Sequence, residues 1–221
     1  MNHIKTQCPA KINLFLRVLD KRIDGYHNIE TSFQLIDLYD LISFEKITDE
    51  IVIESNEDYL GGEDNTIYAS AIKVKEYLSD KKYGVKINIK KNIPTGSGMG
   101  GGSSNAASTI IALNKLWGLN LSMERLSKIA KEIGADVPFF MFGKNALGNG
   151  IGDELEEVSS IGDNILIIDP LIHNSSKNMF SLLKQRKEIK NNSLYKQNHF
   201  FDVFVESNKE VKDFVKKFNK D

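Results

Sequence analysis

The sequence predicts a fold that mixes strands and helices, with the strands concentrated in the first quarter. Two kinds of observation carry this. Apolar residues alternate with polar ones at period two near the N-terminus and again around residues 83–91, and apolar stripes at helical spacing follow a glycine-rich stretch that begins at Pro94.

The first strand is read between Cys8 and Val18, where Ala10, Ile12, Leu14, Leu16 and Val18 alternate with Lys11, Asn13, Phe15 and Arg17. Lys11 and Asn13 therefore share one face. Asp24-Gly25 signals a turn, and the following IETSFQLIDLYDLISFE is rich in Ile, Phe and Leu, as further strand would be. From about Asn65 to Leu78, the residues Ile67, Ala71, Val74 and Leu78 stand at helical spacing. YGVKINIKK then alternates Val85, Ile87 and Ile89 with Lys86, Asn88 and Lys90, a half-exposed strand.

After the glycines, Ala106, Ala107, Ile110, Ile111, Leu113 and Trp117 form an apolar helix stripe that Gly118 can end in a left-handed cap. Leu121-Ser122 offers an N-cap with an apolar staple to Leu126, and that helix runs to Gly134. ADVPFFMFG follows, with Asp136 two residues before Pro138. Residues 164–169, NILIID, read as a short buried strand bounded by Pro170, and 174–187 and 207–219 read as helices. A composition shift near 158–163 places a candidate domain boundary between residues 1–157 and 158–221.

The 221 residues can bury one large core or two small ones. With 29 Lys plus Arg against 30 Asp plus Glu, the formal charge of -1 gives no global reason to expect nucleic acid or an anionic membrane as partner. A small-molecule ligand is the default. The single cysteine, Cys8, excludes an intramolecular disulfide, no Cys and His cluster has zinc spacing, and no apolar run approaches a bilayer span, so the expected location is cytoplasmic. The metal ligands and the choice between monomer and homodimer are left open.

The segment Pro94-Thr-Gly-Ser-Gly-Met-Gly-Gly-Gly-Ser-Ser-Asn105 opens directly into a helix. Glycines allow positive φ and close backbone approach, so successive N–H groups can turn onto phosphate oxygens while the helix N-terminus adds roughly half a positive charge. Pro94, Gly96, Gly98, Gly100, Gly101, Gly102, Ser103 and Ser104 are the candidate nucleotide-binding residues. A flexible linker does not usually open into so well-patterned a helix. A Walker motif requires a lysine where Gly102 stands. Gly96, Gly98 and Gly101 satisfy the dinucleotide fingerprint, but the preceding strand alternates apolar with charged residues, unlike the first strand of a doubly covered parallel sheet. No HRD or DFG element supports a protein-kinase loop.

CPAKINLFLRVLDKRIDGYHNIETSFQ, PTGSGMGGGSSNAA, GADVPFF and GNGIGDELE, in that order, resemble the GHMP kinase superfamily. Within it, PAKINLFL and DGYH resemble the branch that phosphorylates a cytidine diphosphate-linked methylerythritol in the non-mevalonate route to isoprenoid precursors. The resemblance covers nearly all of residues 8–157 and thins beyond 170. It implies an α+β fold of two lobes: an N-terminal lobe like ribosomal protein S5 domain 2 and a ferredoxin-like C-terminal lobe. It also implies an ATP-dependent phosphotransferase with an alcohol acceptor, using Mg²⁺.

Carried over by position, the resemblance implies that Asp136 is the catalytic base and Lys11 its neighbour. A carboxylate accepting the hydroxyl proton contributes ~10²–10⁴-fold, and an ammonium offsets negative charge growing on the reacting oxygens. Read alone, Asp136 is a helix N-cap and Lys11 a solvated strand residue. Asn13, Tyr26, His27 and Phe180 are implied on the substrate side, the aromatic groups suited to a flat cytosine; an exposed hairpin tip accounts equally for Tyr26 and His27, and a core-facing helical position for Phe180. Asn65 is implied near the ATP base, with helix capping as the alternative.

Two departures stand out. The superfamily's third glycine-rich motif has no counterpart after residue 170, which implies an incomplete second lobe and leaves an inactive nucleotide-binding fragment, or a kinase for another small alcohol, as alternatives. Met99 replaces a leucine common in relatives, a volume-conserving change.

Overall fold

The computed structural model describes residues 1–56, 65–80, 82–162, 164–172, 176–185 and 198–218. Their elements follow in the order β1 (His3–Lys21), β2 (His27–Thr48), β3 (Ile51–Ser55), α1 (Thr66–Lys75), β4 (Tyr83–Lys90), α2 (Gly101–Leu116), α3 (Met123–Ile133), α4 (Val137–Phe142), β5 (Ala146–Asn149), β6 (Glu154–Glu157), α5 (Ser176–Gln185), α6 (His199–Ser207) and α7 (Lys209–Phe218). Strands and helices are mixed as expected, in an α+β arrangement. The residues form two compact units: Met1–Lys11, Leu35–Thr95 and Met99–Lys144 make the first, and Ile12–Gln34, Gly96–Gly98 and Asn145–Asp221 the second. The long strands β1 and β2, which pair with each other, each run through both.

In the first unit β4 lies antiparallel to the second half of β2, from Leu41 opposite Lys90 to Thr48 opposite Tyr83. On its other side β4 takes β3 in parallel, Ile51 opposite Val85. Parallel neighbours need a crossover, and α1 supplies it. The alternation read in β4 is observed: Val85, Ile87 and Ile89 are buried, while Lys86, Asn88 and Lys90 are not. Helix α2 packs against α1, α3 and α4. The core combines Ile42 and Phe44 of β2, the β4 residues, Ile67, Ala71 and Val74 of α1, and Ala106, Ile110 and Leu113 of α2.

The helix ends follow their sequence signals. Asn65 caps α1 by accepting from Ile67 N at 2.9 Å. Ser122 caps α3 by accepting from Arg125 N at 3.3 Å. Gly118 stands at φ +65 just past α2, the left-handed position that a side chain would strain.

In the second unit β5 pairs antiparallel with β2, Thr31 opposite Gly148, and β6 pairs with β5. Its apolar cluster joins Leu16, Val18 and Ile29 to Leu183 and Val203, with Phe180 and Phe200 packed against it. Helices occupy 176–185 and 209–218, inside the two expected spans; residues 174, 175, 186, 187 and 219 of those spans lie outside the described residues. The buried strand expected over 164–169 is not formed. Leu166 is 76% exposed and Ile165, Ile167 and Ile168 are exposed too, without a strand partner among the described residues. An apolar run records the benefit of burial but does not itself supply a ladder neighbour.

Candidate active site

Lys11 is where the strand pattern and the structure part company. The alternation puts it on a polar face, yet it is only 5% exposed. Its backbone N–H donates to Met99 O at 3.0 Å, which ties β1 to the glycine loop, and its ammonium lies 3.6 Å from Asp136 Oδ2. Burying an ammonium is costly unless a charge or hydrogen bonds answer it, and the Asp136 carboxylate helps to answer this one.

Asp136 precedes α4 at the N-cap position, but its backbone is helical and its side chain makes no capping bond. The carboxylate is 34% exposed on its side chain, turned to Lys11 and still open to solvent on another side. Capping therefore does not account for this aspartate. Pro138 in the first turn and Gly143 at φ +69 set the two ends of the short helix.

The loop's glycines have the backbone that the sequence calls for. Gly96, Gly98 and Gly100 all have positive φ, at +72, +76 and +70. At Gly100, the N-cap of α2, an added Cβ would lie 2.7 Å from Phe140 Cζ and 3.3 Å from Lys11 Cε. Both the backbone conformation and the space exclude a side chain there. At Gly101 a Cβ would come 3.1 Å from Ile93 Cγ2 and from Lys91 Nζ.

Helix geometry leaves the first N–H groups of α2, those of Gly101, Gly102 and Ser103, without an intrahelical acceptor. Ser104 N is the first to turn inward, to Gly100 O at 2.9 Å. The N-cap residue, Gly100, has no side chain with which to cap this end. The Ser104 hydroxyl is buried, the residue being 1% exposed, and it has no hydrogen-bond partner among the described residues. A buried hydroxyl in that condition costs about 1–3 kcal/mol, so it marks a position where an absent group would complete the site. Thr66 Oγ1 secures the same turn by donating to Gly102 O at 2.9 Å.

Among the substrate-side residues, Asn13 donates to Thr31 Oγ1 at 2.7 Å, and Thr31 donates onward to Phe15 O at 2.7 Å. His27 stacks on Phe180 with ring centroids 4.9 Å apart and planes 10° apart. Phe180 in turn meets Phe200 edge to face at 4.9 Å. Tyr26 is 57% exposed at the turn closed by Arg22 and Gly25. So Lys11, Asp136 and Gly100 converge in the first unit, and His27 meets Phe180 in the second. Asn65 is observed as a helix cap, and Pro94 lies at the entry to the loop.

Sequence reasoning missed a buried polar group beside the loop. Asp40, wholly buried in β2, pairs with Lys91 and Asn105. The one hint was an aspartate among the apolar residues of β2. Cys8 belongs to the same neighbourhood, with side-chain hydrogen bonds to Ser108 and Asn105, and its burial pushes the thiol up to about 11.

Mg²⁺ fits the donor chemistry. The Ser104 hydroxyl is a hard oxygen with unused capacity. No three His, Cys, Asp or Glu side chains among the described residues cluster to hold a metal. An ion here would rely chiefly on oxygens that a ligand brings, as Mg²⁺ commonly does with phosphates.

Comparison with known proteins agrees with this chemistry. Residues 65–144 match the GHMP kinases N terminal domain. The 4-diphosphocytidyl-2-C-methyl-D-erythritol kinase of Francisella philomiragia is 40% identical over 223 residues, covering 97% of this chain and 81% of that protein. Proteins of the same name from Ralstonia pickettii and Marinomonas are 43% and 40% identical, and the matches span 60% of each of their lengths. A crystal structure of 4-(cytidine 5'-diphospho)-2C-methyl-D-erythritol kinase superposes with a TM-score of 0.66 at 26% identity, over 96% of this chain and 81% of that one. A homoserine kinase from Cytophaga hutchinsonii shares the fold, with a TM-score of 0.54 at 19% identity.

Proposed function

Because the chain belongs to the 4-diphosphocytidyl-2-C-methyl-D-erythritol kinase family of GHMP kinases, we propose that it transfers the γ-phosphate of ATP to the 2-hydroxyl of 4-diphosphocytidyl-2-C-methyl-D-erythritol, a step of the non-mevalonate route to isoprenoid precursors. The observation that carries the mechanism is the Lys11–Asp136 pair at 3.6 Å, with Gly100 packed against Lys11.

In this reading the amides of Gly96, Gly98 and Gly100–Ser103 receive the β- and γ-phosphate oxygens, and the helix N-terminus adds its partial positive charge. Ser103 and Ser104 offer hydroxyls to the phosphates or to Mg²⁺, which when bound neutralises charge on the triphosphate. Pro94 shapes the loop's entry, and Asn65, while capping α1, stands for the base-side contact. The acceptor hydroxyl gives its proton to an Asp136 carboxylate oxygen as its own oxygen bonds to the γ-phosphorus. The bond from that phosphorus to the β,γ-bridging oxygen breaks, and ADP leaves. Lys11 offsets the charge on the attacking oxygen and the transferring group. Asn13, Tyr26, His27 and Phe180 take the cytidyl part of the acceptor, the aromatic rings by stacking.

Residues 1–157 are the nucleotide-binding domain in this account and 158–221 belong to a second, C-terminal GHMP kinase domain, the protein acting in the cytoplasm as a monomer or homodimer. No helix among the described residues is long and apolar enough to cross a membrane. The test is a phosphotransfer assay offering ATP with the cytidyl substrate, mevalonate, homoserine or galactose. ADP release with the cytidyl substrate alone is expected. Turnover of a sibling alcohol in its place would reassign the acceptor.

A further inference from the structure

We propose that Asp40 is a positioning residue for the nucleotide cradle, its buried carboxylate clamping together the two stems of the glycine loop. The inference rests on reading that loop as the site of the triphosphate.

Asp40 is wholly buried in β2, and both of its oxygens are engaged. Oδ1 accepts from Asn92 N at 2.7 Å and from Ile93 N at 2.9 Å. Oδ2 accepts from Asn105 Nδ2 at 3.0 Å and from the Lys91 ammonium. Lys91 closes the triangle by donating to Asn105 Oδ1 at 3.0 Å. Asn92 and Ile93 are the last residues before Pro94, where the loop begins. Asn105 is the fifth residue of α2, immediately after it ends. A single carboxylate thus fixes the entry and the exit of the loop.

The network reaches the loop itself. A Cβ at Gly101 would stand 3.1 Å from Lys91 Nζ, so the ammonium packs directly behind the first residue of α2 and the amide it presents. Asn56 holds the Lys91 backbone from the far side, accepting from Lys91 N at 2.7 Å and donating to its carbonyl at 3.3 Å.

Stability alone is a poor reason for this arrangement, because apolar residues of similar volume often do as well as a buried ion pair or better. What the charged trio supplies is directional: fixed bonds to two separate chain segments, with the charges of Asp40 and Lys91 cancelling so that the field of the cradle is left to the amides. A shift of about 1 Å in groups that orient a reacting phosphate can cost on the order of 10²-fold.

The test compares the full chain with its Asp40→Asn and Asn105→Ala variants, by steady-state phosphotransfer with the cytidyl substrate and by calorimetric titration with ATP. Asn105→Ala removes the bonds that Asp40, Lys91 and Cys8 make to α2 but keeps the Asp40–Lys91 pair, so it disturbs the fold less than Asp40→Asn, which strands a buried ammonium. The expected result is a rise of tenfold or more in KM and Kd for ATP, with KM for the cytidyl substrate within twofold of the parent. Unchanged ATP affinity in folded Asn105→Ala overturns the inference. So does an equal loss for both substrates, the signature of a general packing defect. A parent chain that binds no ATP would instead refute the cradle on which the inference stands.

Discussion

Lys11 and Asp136 face each other at 3.6 Å across two separately built segments, a β-strand and the entry to a short helix, with the lysine buried and the carboxylate partly open. The asymmetry suits a base that must meet an incoming hydroxyl while its cationic neighbour stays out of water. Asp136→Asn keeps the shape and removes the proton acceptor. It should lower kcat by ~10²–10⁴-fold, about 3–5 kcal/mol, and leave the ATP Kd close to that of the parent. Single-turnover phosphotransfer alongside calorimetry reads both, and near-normal turnover would remove the carboxylate from its assigned role.

Gly100 and Gly98 share a left-handed backbone but not their surroundings. A Cβ at Gly98 meets no atom of the described residues within 4 Å, whereas one at Gly100 lies 2.7 Å from the Phe140 ring. Gly98→Ala should cost only the conformational strain, about 1–2 kcal/mol. Gly100→Ala adds overpacking and should cost about 2–5 kcal/mol in all, with a loss of ATP binding. Urea denaturation of the pair ranks them, and equal costs would mean that the Phe140 contact does not constrain the loop.

Ser104 separates binding from stability. Its buried hydroxyl has no partner among the described residues, so Ser104→Ala removes an unsatisfied group rather than a hydrogen bond. Thermal stability should hold or rise by about 1 kcal/mol while ATP affinity falls. A clear drop in Tm would show that the hydroxyl serves the fold.

Cys8 gives the chain an alkaline signature. Burial pushes its thiol up to about 11, whereas in the unfolded chain it titrates near 8.5. Below the unfolded value both states are protonated and the stabilisation is fully present. As pH rises towards about 11 the unfolded state loses its proton first, so stability falls, by up to about 3 kcal/mol. Cys8→Ala should flatten that part of the curve, measured as the denaturation midpoint at pH 8, 9 and 10. An unaltered slope would assign the loss to other groups.

Much of this was legible in the sequence because it is local. The alternation of Val85, Ile87 and Ile89, the cap at Ser122 and the glycine at 118 each write their structure within a few residues, and the structure follows them. The buried Lys11 was not legible by pattern, since period two assigns a face but not what covers it. Asp40 and Lys91 are 51 positions apart, and each alone looks like a surface charge. NILIID misled for the opposite reason: its apolar residues ask for burial, but a strand also requires a neighbour that no local pattern specifies.

The account turns on phosphate binding by the loop, and the most direct measurement is amide chemical-shift mapping of the labelled chain during titration with ATP and Mg²⁺. The amides of Gly100, Gly101, Gly102 and Ser103 should show the largest shifts, saturating together with the calorimetric isotherm. Saturable ATP binding that leaves those four resonances in place would contradict it.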